Sequence, residues 1–132
     1  MNIVVDTDVV SFLFKNHPIG RRYDSDLAER VAPISFMTVA EVERWAIQYH
    51  WSEHRVHWLH LYLQRFTVVP SSPDLCRQWA QVMASAQDAG RRIECADAWI
   101  AATAIVYDAP LVTHNRRDYL GVPGLSIVSH SD

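Results

Sequence analysis

Apolar and polar residues alternate in short blocks along the chain, and the period of the pattern changes from block to block. Residues 2–5 end an apolar run at Asp6 and are too few for a helix, which predicts a buried strand. Residues 9–14 are again apolar and follow Thr7-Asp8, either of which can cap a helix. Pro18-Ile-Gly20 marks a loop, and residues 21–30 have helical composition. A second strand is expected at 33–36, helices at 38–49 and 52–65, and a third strand at 67–69 closed by Pro70 and Pro73. Residues 74–89 read as a long helix stopped by Gly90. Residues 98–107 form a strongly apolar helix, and strands follow at 110–113 and 126–128, the last at a sheet edge.

Strands alternating with helices across short connections imply an α/β fold, with a parallel sheet covered on both faces. In such sheets the site lies at the carboxyl ends of the strands. A chain of 132 residues has room for one domain, 1–132, and little for a second. No internal repeat, low-complexity tract or linker interrupts it.

Composition narrows the class. Hydrophobic residues make up 49% and charged residues 20%, an ordinary globular balance that confines any expected disorder to 129–132. No apolar run approaches the roughly 18 residues of a membrane span. The opening Met-Asn-Ile-Val-Val-Asp lacks the basic start and cleavage site of a secretory signal, so a cytoplasmic protein is expected. Cys76 and Cys95 are too few for a disulfide scaffold and read as reduced, buried thiols. The net charge of -3 argues against gripping nucleic acid by bulk positive charge, but not against a metal enzyme that acts on it. Lys15 is the only lysine, and the arginine doublets Arg91-Arg92 and Arg116-Arg117 lie close to acids singled out next. The guanidinium fork suits phosphate.

Those acids recur where a strand ends or the following helix begins. Asp6 closes the first strand, and Thr7 and Asp8 are available to cap the helix in its place. Thr38-Val-Ala-Glu41 has the spacing of a capping box, which by itself accounts for Glu41, yet that helix start lies at the same rim. Asp97 precedes an apolar helix and reads as its N-cap. Thr113-His-Asn-Arg-Arg-Asp-Tyr119 follows a strand and offers Asn115 and Asp118 as oxygen ligands or holders of water. Each acid alone is weak evidence of chemistry; their common position is stronger.

The pattern of residues 3–8, Ser35-x-x-Thr38-x-x-Glu41, Asp97-Ala-Trp-Ile-Ala-Ala-Thr103 and Leu111-Val-Thr-His-Asn-Arg-Arg-Asp-Tyr119 resembles the PIN-domain family. More narrowly it is similar to the VapC toxins of bacterial toxin–antitoxin pairs, over nearly the whole chain. The resemblance implies a three-layer α/β/α sandwich and an endoribonuclease dependent on Mg²⁺ or Mn²⁺. It implies partners too: RNA as substrate, a VapB-like antitoxin as inhibitor, and a homodimer or toxin–antitoxin hetero-oligomer. Carried over by position, Asp6, Glu41 and Asp97 match the acidic triad, with Asp118 favoured over Asn115 as fourth catalytic acid. Asp8 stands where the family often has Asn. In this reading Asp6 and Asp97 hold the metal, Glu41 orients a water, and attack by water leaves a 5′-phosphate and a 3′-hydroxyl.

Two rivals carry different expectations. The segment Ile3-Val-Val-Asp6-Thr-Asp8-Val also resembles the nucleophile motif of haloacid-dehalogenase-type phosphatases, but the lysine that chemistry needs downstream is missing. A non-catalytic PIN-like binding module is the other, against which the presence of all three acids counts. His54, His57 and His60 share one side of their helix, away from Val56, Leu59, Leu63 and Phe66, and read as a solvent-facing stripe rather than a zinc site. Trp45, Trp51 and Trp58 are candidates for a groove on these two helices that receives the antitoxin.

Overall fold

The structure, a computed structural model, describes residues 2–131. Strand β1 (Val4–Val5) leads into helix α1 (Thr7–Phe14). Two single-turn helices, α2 (Pro18–Arg21) and α3 (Asp24–Leu27), take the place of the one helix expected over 21–30. Gly20 and a run of small and charged residues supply no continuous apolar stripe to hold a longer one. Then come β2 (Pro33–Ser35), α4 (Phe36–Gln48), α5 (Glu53–Leu63), β3 (Thr67–Val69) and α6 (Pro73–Asp88). Helix α7 (Cys95–Val106), β4 (Leu111–Val112), a 3₁₀ turn (Arg116–Tyr119) and β5 (Ile127–Val128) complete the order.

All strand pairings among the described residues are parallel: β1 with β4, β4 with β5, and β2 with β3. Strand β1 also runs beside β2, so the two ladders adjoin in the spatial order β3-β2-β1-β4-β5. Alternation along the strands divides the core in two. Val4 and Leu111 face one side with Ile100 and Ala101 of α7 and Leu75 and Val82 of α6. Val5 and Val112 face the other with Val9 and Val10 of α1, Val42 of α4 and Leu59 of α5. This is the three-layer α/β/α sandwich with a parallel sheet.

Helix α7 lies tight against the sheet because Ala98, Ala101, Ala102 and Ala104 carry only methyl groups and are fully buried. Helix α6 stops where expected, with Gly90 in the left-handed region at φ +67. Gly121 permits a close approach: a Cβ there would lie 2.9 Å from that of Arg91, so only glycine lets the 90–93 loop rest on the turn after Tyr119.

Several local expectations change. Cys76 and Cys95 are free as expected but exposed rather than buried. Residues 129–131 are held, not loose: the His130 amide donates to the Tyr23 hydroxyl (3.0 Å), and its ring meets Asp26 (2.8 Å). Asp132 lies outside the described residues. The stripe His54, His57 and His60 is exposed, with Leu59 and Leu63 buried behind it. No helix among the described residues is long and apolar enough to cross a membrane.

Candidate active site

At the carboxyl ends of β1, β2 and β4 the chain gathers Asp6, Asp8, Glu41 and Asp97, with Thr7, Thr38, Thr113 and Tyr119 between them. Asp6 is itself the N-cap of α1, accepting the Thr7 amide at 2.7 Å through Oδ1, which corrects the expectation that Thr7 or Asp8 would cap. Its Oδ2 accepts two hydroxyls, Thr113 at 2.7 Å and Tyr119 at 2.8 Å. Cap and site residue are one group, because the strand delivers the carboxylate to the point where free helix N–H groups begin.

Glu41 is not the partner of a capping box. Helix α4 starts at Phe36 and is capped by Ser35, whose hydroxyl accepts the Met37 amide at 3.0 Å, so Thr38 lies inside the first turn. The fully buried Thr38 hydroxyl instead meets the Thr7 hydroxyl at 2.9 Å, and Thr7 donates to Glu41 Oε1 at 2.7 Å. Since the one Thr7 proton goes to Glu41, Thr38 donates to Thr7. The relay fixes Glu41 against α1.

Asp97 is not an N-cap either. Helix α7 begins at Cys95 behind Glu94, which makes no side-chain cap bond, so Asp97 sits in the first turn. Its Oδ1 lies 3.4 Å from the Tyr119 hydroxyl, which spans Asp6 and Asp97. Tyr119 is buried to 1% exposure, and burial together with the charges of Asp6 and Asp97 holds its phenol protonated, hence a donor.

Asp8 belongs to the site, at the position where the resemblance sets an acid in place of the family's frequent Asn. Its Oδ1 accepts the Val9 amide (2.7 Å), while its Oδ2 accepts the His114 amide (3.0 Å) and the Asn115 side-chain amide (3.1 Å). The signal in the sequence is the second acid of Asp6-Thr-Asp8, which reads both as a possible cap and as an acid in place of Asn. Asn115 is thereby tied to Asp8. Asp118 stays exposed on the 3₁₀ turn and, among the described residues, makes no hydrogen bond to the other acids. It is nevertheless close enough for its charge to raise Asp8 and Asp97.

The cluster is electrostatically strained. Burial, above all, pushes Asp6 up to about 6, against the hydrogen bonds of Thr113, Tyr119 and the Thr7 amide. Burial and then the Asp6 charge push Asp8 up to about 7. Burial, followed by the charges of Asp6, Asp118 and Glu41, does the same to Asp97, also about 7. A bound cation would relieve this repulsion. Every candidate donor is a hard oxygen, the kind Mg²⁺ or Mn²⁺ prefers. Among the described residues no three acidic, histidine or cysteine side chains converge tightly enough to enclose an ion. That spacing suits a cation that takes one or two carboxylates and completes its shell with water and substrate. Arg91, Arg92, Arg116 and Arg117 are exposed.

A groove of about 470 Å³ is lined by Ser11 and Lys15 of the α1 segment with Trp45, Tyr49, Trp51 and Arg55. The Arg55 guanidinium lies 4.4 Å from the centre of the Trp51 ring, which stacks on Phe14 at 5.6 Å. Trp58 and Leu61 of α5 are exposed nearby in the chain.

The chain is 28% identical over 127 residues to Ribonuclease VapC1 of Haemophilus influenzae strain R2866, covering 95% of each chain. Among solved structures it resembles VapBC-1 from nontypeable Haemophilus influenzae, with a TM-score of 0.81, 27% identity and 98% of both chains covered. It also superimposes on VapBC2 from Rickettsia felis bound to a DNA fragment from its promoter, with a TM-score of 0.85, 22% identity and the same coverage. The PIN domain family model matches residues 3–122, the span that runs from the first strand past the Tyr119 turn and includes every acid of the rim. The chain belongs to the PIN domain family.

Proposed function

We propose that this chain is the ribonuclease toxin of a type II toxin–antitoxin pair, a single domain over 1–132 that works in the cytoplasm and hydrolyses RNA phosphodiester bonds. The observation that carries the reading is the shared rim of Asp6, Glu41 and Asp97 in a chain of this family. The names of its relatives point to the same activity and to a toxin–antitoxin complex.

Asp6 and Asp97 are the residues that would hold a divalent metal, Mg²⁺ or Mn²⁺. When bound, such an ion supplies Lewis-acid stabilisation and a more acidic water. Glu41, with Oε1 held by Thr7, keeps Oε2 to accept a proton from an attacking water. Asp118 is the outer fourth acid, acting by charge on Asp8 and Asp97. Arg116 and Arg117, exposed on the same turn, would meet the RNA backbone. The test is to sequence RNA ends after brief induction of the parent chain and of Asp97→Asn. New 5′-phosphate ends with the parent alone are expected; equal cleavage by both would refute the site.

The aromatic groove of Trp45, Trp51 and Arg55 is the proposed seat of a VapB-like antitoxin, in a hetero-oligomer or on a homodimer. Trp51→Ala should weaken antitoxin binding by about tenfold or more, as expected of an aromatic anchor. Unchanged affinity in calorimetry would remove the groove from the interface.

A further inference from the structure

The hydrogen bonds around Asp6 restrict how that carboxylate can meet a cation. An ionised carboxylate offers about four lone-pair sites, two on each oxygen. On Oδ2 both are in use, one by the Thr113 hydroxyl at 2.7 Å and one by the Tyr119 hydroxyl at 2.8 Å. On Oδ1 one is in use, by the Thr7 amide at 2.7 Å. A single site remains, on Oδ1.

Both hydroxyls are held in place by their surroundings. Thr113 directly follows β4, its amide donates to Val128 O at 3.0 Å, and it is fully buried. The Tyr119 ring packs in the core with Ala98, Ala101 and Ile93, and the Val122 amide bonds its carbonyl at 3.2 Å. Its hydroxyl therefore lies between Asp6 and Asp97 rather than in solvent.

We propose that Tyr119 is a positioning residue for metal choice: with Thr113 it occupies Oδ2 of Asp6, so that Asp6 ligates through Oδ1 alone. This rests on the reading of Asp6 and Asp97 as cation ligands. The consequence is selectivity. Ca²⁺ is larger, takes 6–8 oxygens and commonly binds a carboxylate through both of them. Mg²⁺ is held octahedrally by single carboxylate oxygens and waters, and Mn²⁺ shares its preference for oxygen ligands. A carboxylate with one open site serves Mg²⁺ and Mn²⁺ and penalises Ca²⁺.

The experiment is calorimetric titration of Mn²⁺ and of Ca²⁺ into the parent chain, Tyr119→Phe and Thr113→Val, with circular dichroism to confirm folding. Tyr119→Phe keeps the ring and removes only the oxygen, and it should raise Ca²⁺ affinity relative to Mn²⁺ by about tenfold, the lower range for altering a ligand's hydrogen-bond partner. Thr113→Val frees the other Oδ2 site and should move the ratio the same way, so the inference stays testable if Tyr119→Phe does not fold. An unchanged ratio in a folded variant, with the parent binding Mn²⁺, overturns this inference and leaves the metal reading standing. A parent chain that binds neither ion overturns the metal reading and this inference together.

Discussion

The two ends of the acidic rim are built differently. At the inner end, Asp6 is 5% exposed, caps a helix and accepts three hydrogen bonds from three separate elements of the chain. At the outer end, Asp118 stands on an exposed 3₁₀ turn and acts on its neighbours only through charge. The inner acids are therefore fixed in place before any ligand arrives, and the outer one is free to adapt. Preorganisation stands at one end and electrostatic tuning at the other.

That difference predicts a graded response to substitution. The largest effect belongs to the inner end: Asp97→Asn should lower RNA cleavage by at least about 100-fold, since it removes a proposed ligand rather than a ligand's partner. A smaller loss would place the chemistry elsewhere on the rim.

A second test uses pH. Asp8 and Asp97 have an ordinary value of 3.8 and are raised to about 7 in the fold. Between those values the folded chain binds more protons than the unfolded chain, so each proton is lost at the expense of folding. Stability in EDTA should thus be highest below pH 3.8 as far as these two groups are concerned, and fall as pH rises through about 7. Melting temperatures across that interval, in the parent and in Asp97→Asn, measure the slope. The variant should show the shallower one, and identical slopes would contradict the burial assigned to Asp97.

The smallest effect belongs to the outer end. Asp118→Asn removes one exposed charge and no hydrogen bond, so cleavage should change by less than about fivefold, in keeping with the modest worth of exposed charge interactions. A loss as large as that of Asp97→Asn would erase the distinction between the two ends.

The strand–helix alternation was legible in the sequence because each strand is a short apolar run closed by Pro, Asp, Ser or Thr. The acids were legible as polar residues at the end of such a run, as Asp6 is, or near the start of a helix, as Glu41 and Asp97 are. What misled was capping. Ser35 and Thr38 are both good caps, and the Thr-x-x-Glu spacing favours Thr38, yet the chain enters the helix one turn earlier. Asp97 likewise looked like a boundary because the apolar block begins at Ala98, while Cys95 and Ala96 join the helix at no cost to its geometry. The partners of Asp8 and Tyr119 were hidden for another reason. Those partners, His114 and Asp6, lie 106 and 113 residues away, which spacing along the chain does not reveal.

The alanine face of α7 has a consequence for how this protein can change over generations. A residue one or two carbons larger at Ala98 or Ala101 would have no empty volume to enter and would lift the helix from the sheet. The displacement would reach Asp97 through the backbone, without any alteration to an acid. Loops and outer helices can drift while the acidic rim stays put, but α7 cannot, and a disruptive substitution there would leave every acid of the rim intact.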